Sequence, residues 1–258
     1  MPGTMSLLLD ANVDGAVNLR DLGGLPVAGG TLKPGVVYRS GMMQHITPQG
    51  LAALANNHAV RTIVDLRNDV ELANDGVSDF ASAGIRHRHV PVINTGVMMS
   101  GPERAERIRE LLRGQGVMAA MYIEMVKESG GTFRQLFEVL ADQDSLAVVF
   151  HCAGGRDRTG VASALLLSAL GADDDVVGAD YAQTGPILRS HSHRFTRSLE
   201  ETGLTLEEMM TLVADTRPEA ILGVLSFLRE EYGSVEGYLE STGLDLAIID
   251  ELRAQLVD

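Results

Sequence analysis

Apolar and polar positions along this chain fall into two periods. Short apolar, β-branched runs at 36–39, 62–66 and 145–150 read as buried strands, and 85–92 alternates as a further one. Longer stretches repeat every three to four positions and read as helices: 48–57, 69–83 and 161–170. Thr47 supplies an N-cap for the first, with Pro48 as its opening residue, and Gly171 ends the third. Residues 103–142 read as three helical segments broken at Gly114-Gln115-Gly116 and at Gly130-Gly131. Met118, Met121 and Met125 fall at helical spacing there and read as core packing. Beyond Gly171 the pattern is helical throughout, at 173–189, 205–213, 218–232 and 245–257. Thr205 and Glu208 form a capping-box pattern, and Pro218 suits a first helical turn. The Gly-rich stretch 23–35, with Pro26 and Pro34, reads as a hairpin feeding the first long strand. Strands followed by helices predict an α/β fold: a central, mostly parallel sheet flanked by helices, with a helical C-terminal region.

Composition narrows the setting. The chain has 258 residues, 45% of them hydrophobic, which is ample for a sizeable core, and no apolar run reaches membrane-spanning length. No integral membrane segment is expected. The first nine residues lack a basic stretch ahead of an apolar one, so a cleaved secretory signal is not expected either. A single cysteine excludes an internal disulfide and suits a reducing cytoplasm, with export lacking a cleaved signal left open. The net charge of −14 disfavours nucleic acid and anionic lipid surfaces as partners. Arg86-His87-Arg88-His89 and the cluster Arg104, Arg107 and Arg109 read either as a local basic rim or as solvated faces. His87 and His89 share a strand face but have no further ligand at metal spacing, so no metal site is expected.

The chemistry concentrates in His151-Cys152-Ala153-Gly154-Gly155-Arg156-Asp157-Arg158-Thr159-Gly160. The run places Cys152 at a strand end, then a tight glycine loop, then a helix start. Unpaired N–H groups and the helix dipole there favour an anion. Gly154 and Gly155 allow the positive φ that turns such N–H groups inward. Arg158 can grip two phosphate oxygens with its planar fork. The backbone from Ala153 through Gly154, Gly155, Arg156 and Asp157 to Arg158 would cradle the phosphate, with Cys152 beneath it as a thiolate nucleophile. Thr159 can donate to that thiolate or to the loop.

This stretch resembles the signature loop of the cysteine-dependent phosphatases, the protein tyrosine and dual-specificity phosphatase superfamily. Asn18-Leu19-Arg20-Asp21-Leu22-Gly23-Gly24, Tyr38-Arg39-Ser40 and Val64-Asp65-Leu66-Arg67 are similar to motifs of a bacterial tyrosine/lipid phosphatase branch. The resemblance runs from about residue 18 to the C-terminus. It implies a tyrosine-phosphatase-like domain over residues 1–258 that hydrolyses phosphomonoesters through a phosphocysteine intermediate. Its substrate would be a phosphorylated protein or a small phosphoester, with inorganic phosphate as product or inhibitor and no cofactor. Protein tyrosine phosphatase activity with dual or lipid specificity is the first reading. A phosphoinositide phosphatase and an idle phosphate-binding module are the alternatives. In that branch an inserted helical pair covers the site, so residues 190–217 are either a lid or a peripheral pair.

Further details bear on mechanism. The loop that carries a catalytic Asp in better-known tyrosine phosphatases corresponds to 91–102 here and contains no carboxylate. Asp157 is therefore the candidate acid, with a phosphate nearby raising its proton affinity; the rival role is to fix the loop as a carboxylate. Arg156 keeps a cation where branch members have Lys, either at the pocket mouth or facing solvent. Supporting roles fall to His151, Thr159, Arg20, Asp21, Arg39 and Asp65, the charged residues orienting the loop. Tyr38 is a candidate stacking platform for an aromatic substrate.

Overall fold

A computed structural model of the chain describes residues 7–9, 12–93, 116–192 and 205–258. Its strands are β1 (Leu7–Leu8), β2 (Arg20–Asp21), β3 (Pro26–Val27), β4 (Gly30–Thr31), β5 (Val37–Ser40), β6 (Thr62–Asp65), β7 (Arg86–His89) and β8 (Val148–His151). Six of them form one sheet in the order β1-β2-β5-β8-β6-β7, and β3 and β4 form the expected hairpin. The four longer strands β5, β8, β6 and β7 are mutually parallel, and β1 and β2 add antiparallel pairs at one edge.

Register decides where the site lies. Ser40 pairs with His151, His151 with Asp65, and Asp65 with His89. The four parallel strands therefore end level, and everything that follows them emerges at one carboxyl edge, where open α/β sheets place ligands. Period-two alternation sends Val37, Val64, Val148 and Phe150 to one core, and Tyr38, Ile63 and Val149 to the other. The helices Val117–Glu128, Gly130–Ala141, Asp157–Ala169 and Pro218–Tyr232 cover the first face, and Pro48–Asn56 covers the second. The Asp157–Ala169 helix is buried almost all round, which accounts for its Ala- and Leu-rich composition. Met125 is buried, with Met118 and Met121 packed against the same core.

Several boundaries depart from the pattern reading. The predicted helix 69–83 stops at Asp75, because Gly76 adopts φ +73, and resumes as a 3₁₀ turn at Phe80–Ala83. The stretch 173–189 divides into Asp174–Ala182 and Thr184–Ser190. Pro186 lacks the N–H that would bond back to Ala182, and the Thr216 hydroxyl donates to that carbonyl instead, at 3.1 Å. The helix Val235–Ser241, capped by Ser234 and burying Val235, Tyr238 and Leu239, was hidden by its flanking and internal glycines. Residues 103–115 lie outside the described residues. Among the described residues no helix is long and apolar enough to cross a membrane.

Candidate active site

β8 delivers Cys152, 1% exposed, to the carboxyl edge of the sheet. The Gly155 N–H points back at its Sγ, 3.3 Å away. In a trans peptide the carbonyl and the following N–H point opposite ways, so an inward N–H needs its carbonyl held outward. Asn18 does this, its Nδ2 lying 3.2 Å from the Gly154 carbonyl oxygen and 3.3 Å from that of Gly155. Arg39 Nη2 adds a second donor to the Gly155 carbonyl at 2.7 Å, which turns the Arg156 N–H toward the cradle. Only Gly155 uses a positive φ, +71°; Gly154 does not, contrary to the expectation for both. A Cβ at Gly155 would stand 2.6 Å from Asn18 Nδ2 and 2.7 Å from the Gly41 nitrogen.

Behind the loop lies a buried charged layer. Arg39 donates to Asp180 Oδ2, and Arg20 donates to Asp180 Oδ1, to the Thr184 hydroxyl and to Asn18 Oδ1. Arg39 therefore orients the loop directly and Arg20 acts through Asn18. Asp21 does not reach the loop: its carboxylate accepts from the Gly23 and Gly35 N–H groups, both at 2.8 Å, and fixes the hairpin. Thr159 donates to the Ser40 carbonyl at 3.3 Å, so its hydroxyl ties the helix start to β5 and leaves the sulfur alone. Asp65 also stays off the loop. It accepts from Arg67 Nη2 at 2.7 Å and from the Arg67 N–H at 3.0 Å, and its Oδ2 is 3.5 Å from His151 Nε2. Burial alone would raise the Asp65 carboxyl, but the hydrogen bonds of His87 and Arg67 help hold it well below the usual range. His151 Nδ1 sits 3.2 Å from the Cys152 carbonyl oxygen, and burial pushes its pKa down to about 4. A carbonyl only accepts, so this assigns the neutral ring's proton to Nδ1.

Arg158 is gripped by Glu71, Nη1 to Oε2 and Nη2 to Oε1 at 2.7 Å. Glu71 is itself fixed by the Asn68 capping box that starts the Asp69–Asp75 helix. Burial pushes the Glu71 carboxyl up, but the hydrogen bond and charge of Arg158 outweigh it and hold the group below its usual range. Arg158 Nε is buried and makes no hydrogen bond among the described residues.

Asp157 opens the Asp157–Ala169 helix with its side chain 24% exposed. Tyr122 donates to its Oδ1 at 2.5 Å, and Arg156 Nε donates to the same oxygen at 2.9 Å. Tyr122 and Tyr181 hydroxyls lie 2.8 Å apart. Burial pushes the Asp157 carboxyl up, yet the Arg156 charge and the Tyr122 hydroxyl hold it below its usual range. The protein's own neighbours thus oppose the raised carboxyl expected beside a phosphate. Arg156 is 8% exposed and folded onto Asp157, so it does not face solvent. Tyr38 is buried in the second core, edge-on to His58, and cannot stack on a substrate.

His87 stacks on Phe80, and His89 Nε2 lies 2.7 Å from the Arg67 carbonyl. Among the described residues no cluster of His, Cys, Asp or Glu is arranged to hold a metal ion. The loop at 94–102 and Arg104, Arg107 and Arg109 lie outside the described residues, as does 193–204 of the lid candidate. Its described helix, Leu206–Val213, carries the predicted capping box, and Met210 packs with Leu188, Met42 and Val17. Glu71, Asp180, Tyr122 and Tyr181 escaped the sequence reading. Glu71 had a signal, the Asn68-x-x-Glu71 cap, but a cap does not reveal a second partner 87 positions away.

A family model described as "Tyrosine phosphatase family" matches residues 11–258. The triple specificity protein phosphatase PtpB of Mycobacterium tuberculosis is 26% identical over 278 residues, covering 94% of this chain and 97% of the relative. The Cupriavidus necator protein H16_A0669, which carries a tyrosine-protein phosphatase name, is 29% identical over 237 residues, covering 89% and 82%. Among solved structures, the core catalytic domain of the PP-IP phosphatase SIW14 from S. cerevisiae aligns over 74% of this chain and 86% of its own. Its identity is 12% and its TM-score 0.36.

Proposed function

The chain belongs to the tyrosine phosphatase family and is a phosphatase; on that premise we propose that Cys152 is its nucleophile and Asp157 its general acid and base. The observation that carries the reading is the Gly155 N–H aimed at the buried Cys152 sulfur, with its peptide carbonyl anchored from behind. In this mechanism the Cys152 sulfur attacks phosphorus, a sulfur–phosphorus bond forms and the ester oxygen leaves. The loop N–H groups and Arg158 stabilise the charge on the equatorial oxygens. Arg158 remains fixed by Glu71, which leaves its buried Nε–H and the second N–H of Nη2 as donors for an oxyanion. Asp157 gives its proton to the leaving oxygen, then takes one from the water that cleaves the phosphocysteine. A phosphate dianion in the loop competes for Arg156 and adds negative charge, and both effects raise the Asp157 carboxyl from its free-state position.

The substrate class we propose is phosphotyrosine in proteins, with tolerance for other phosphoesters, in keeping with the names of the relatives. The helix Leu206–Val213, resting on Leu188, is proposed as part of an apolar wall or lid beside Gly154; a Cβ there would lie 3.9 Å from Leu188 Cδ1. The whole chain is proposed to act as one phosphatase domain in the cytoplasm.

The test is phosphate release from a phosphotyrosine peptide, a phosphoserine peptide and soluble phosphoinositides, with Cys152→Ser and Asp157→Asn beside wild type. Cys152→Ser is expected to abolish release while retaining peptide binding. Asp157→Asn is expected to lower kcat by about 10²–10⁴-fold on phosphotyrosine, whose phenol leaves poorly without a proton. Near wild-type release by Cys152→Ser sinks the nucleophile assignment. Peptide binding without release by wild type restores the idle-module reading.

A further inference from the structure

The buried tyrosine pair touching Asp157 has no part in the reaction as described, and its geometry is specific. Tyr122 comes from the Val117–Glu128 helix and Tyr181 from the Asp174–Ala182 helix, both fully buried. They meet edge to face, with ring centroids 6.2 Å apart, and their hydroxyls converge at 2.8 Å. An ionised carboxylate only accepts, so the single Tyr122 proton goes to Asp157 Oδ1. The Tyr122 oxygen is then left to accept, which makes Tyr181 the donor of the second bond. The hydroxyls form a directed chain, Tyr181 to Tyr122 to Asp157, and each bond polarises the next. Oδ1 also accepts from Arg156, so a single oxygen of the carboxylate receives both bonds. The carboxylate is thereby held by the protein's interior on one oxygen.

We propose that Tyr122, fed by Tyr181, is a positioning residue that fixes the orientation of Asp157 and sets the pH above which Asp157 can no longer deliver a proton. The proposal rests on Asp157 as the acid, and its test separates the two. A hydrogen bond donated to the ionised form favours that form and lowers the proton affinity of the carboxyl. Tyr122 therefore works against the acid, and Arg156 does the same; the bound phosphate works for it. What the bonds supply is orientation: once the leaving oxygen has taken the proton, they hold Asp157 as a fixed carboxylate for the hydrolytic water of the second step, at a lower basicity.

Charged groups act on this network from several elements. Arg156 and Arg158 flank Asp157 in the loop, and both favour its ionised form. Glu71 faces Arg158 from the Asp69–Asp75 helix, and Cys152 acts on Arg158 from the strand end. Asp215, beyond the Leu206–Val213 helix, acts on Tyr181 and is acted on by Arg156. Tyr122→Phe leaves all of these in place and removes one proton donor.

The experiment titrates the Asp157 carboxyl by NMR with saturating inorganic phosphate bound, in wild type, Tyr122→Phe and Tyr181→Phe. It runs beside pH–rate profiles on a phosphotyrosine peptide for those proteins and for Asp157→Asn. In Tyr122→Phe the carboxyl midpoint and the alkaline limb of kcat are both expected to rise by about one pH unit, the worth of one charge-assisted hydrogen bond. Tyr181→Phe is expected to raise both by less. A carboxyl midpoint unmoved in Tyr122→Phe overturns the proposal. Should that variant not fold, an unmoved midpoint in Tyr181→Phe overturns it instead. An alkaline limb unmoved in Asp157→Asn overturns the acid assignment separately, since the NMR titration reads the carboxyl whatever its role. A merely structural tyrosine would lower stability and rate without moving either pH.

Discussion

Both guanidinium Nη atoms of Arg158 are held by the two carboxylate oxygens of Glu71, a pairing that spans 87 positions of sequence. The fork proposed to meet a phosphate is thus set from behind by a helix cap. Charge removal at Glu71 should therefore cost catalysis more than stability. Glu71→Gln keeps the cap geometry and one acceptor, and kcat/KM on a phosphotyrosine peptide is expected to fall about 10- to 100-fold. Wild-type kcat/KM in this variant would mean that Arg158 needs no orienting partner.

Gly155 and Gly154 are adjacent but not equivalent. Alanine at 155 would combine φ +71 with contacts of 2.6–2.8 Å to Asn18, Gly41 and Ser40. Gly155→Ala is expected to lose about 2–4 kcal/mol of stability and most activity, because the loop must move to admit the methyl. Gly154→Ala meets nothing closer than 3.9 Å and is expected to melt within a degree or two of wild type. Equal melting temperatures for the two variants would contradict the loop geometry.

Asp180 joins Arg20 and Arg39 in a layer that water does not reach. Its truncation to Ala strands two buried guanidinium groups, and a loss of about 3–5 kcal/mol is expected in denaturant unfolding. Asn18→Ala keeps both ion pairs of Asp180 but takes one acceptor from Arg20 and releases the Gly154 carbonyl, while Arg39 still holds that of Gly155. Its stability should change less, while inorganic phosphate should bind several-fold more weakly. Unchanged phosphate affinity in Asn18→Ala would show that the carbonyl anchors do not aim the loop N–H groups.

Acid should destabilise the protein before its carboxylates protonate. His151 is neutral and buried, its pKa pushed down to about 4, against about 6.5 in an unfolded chain. Between these values the unfolded chain binds a proton that the folded one refuses. Stability therefore falls as pH drops from about 6.5 toward 4 and the His151 contribution levels off below, with a loss on the order of 3 kcal/mol. Asp65, Glu71 and Asp157, all held below the usual carboxylate range, add further losses below about pH 4. Urea midpoints at pH 7, 5.5 and 4.5 read the first stage directly, and a flat midpoint across that range would contradict a buried neutral His151.

The two kinds of site residue were unequally legible. Cys152, Gly155 and Arg158 stand within seven positions, and the chemistry of that spacing is local. Asp21 and Arg39 looked alike in sequence, two charged residues beside short strands, and only one reaches the loop. Asp21 pairs with Tyr38, one position short of the Arg20–Arg39 pair, and alternation turns it toward the hairpin. The same limit holds for Thr159, whose hydroxyl meets the Ser40 carbonyl, and for Tyr38, which is buried in the second core: which neighbour a side chain meets is decided by the packing.

What the sequence determined by itself was the alternation of strands and helices, the strand–loop–helix around Cys152, and hence the α/β class and the phosphate chemistry. All of these depend on residues close together in the chain, where dihedral preference and hydrophobic period suffice. Tertiary structure decided who holds the loop. Glu71, Asn18, Tyr122 and the neighbours Asp180 and Tyr181 arrive from four separate stretches, brought together because the parallel strands end level and the helices converge on that edge. Buried charges and hydroxyls must find partners once water is excluded, and only the folded packing says which partners are within reach.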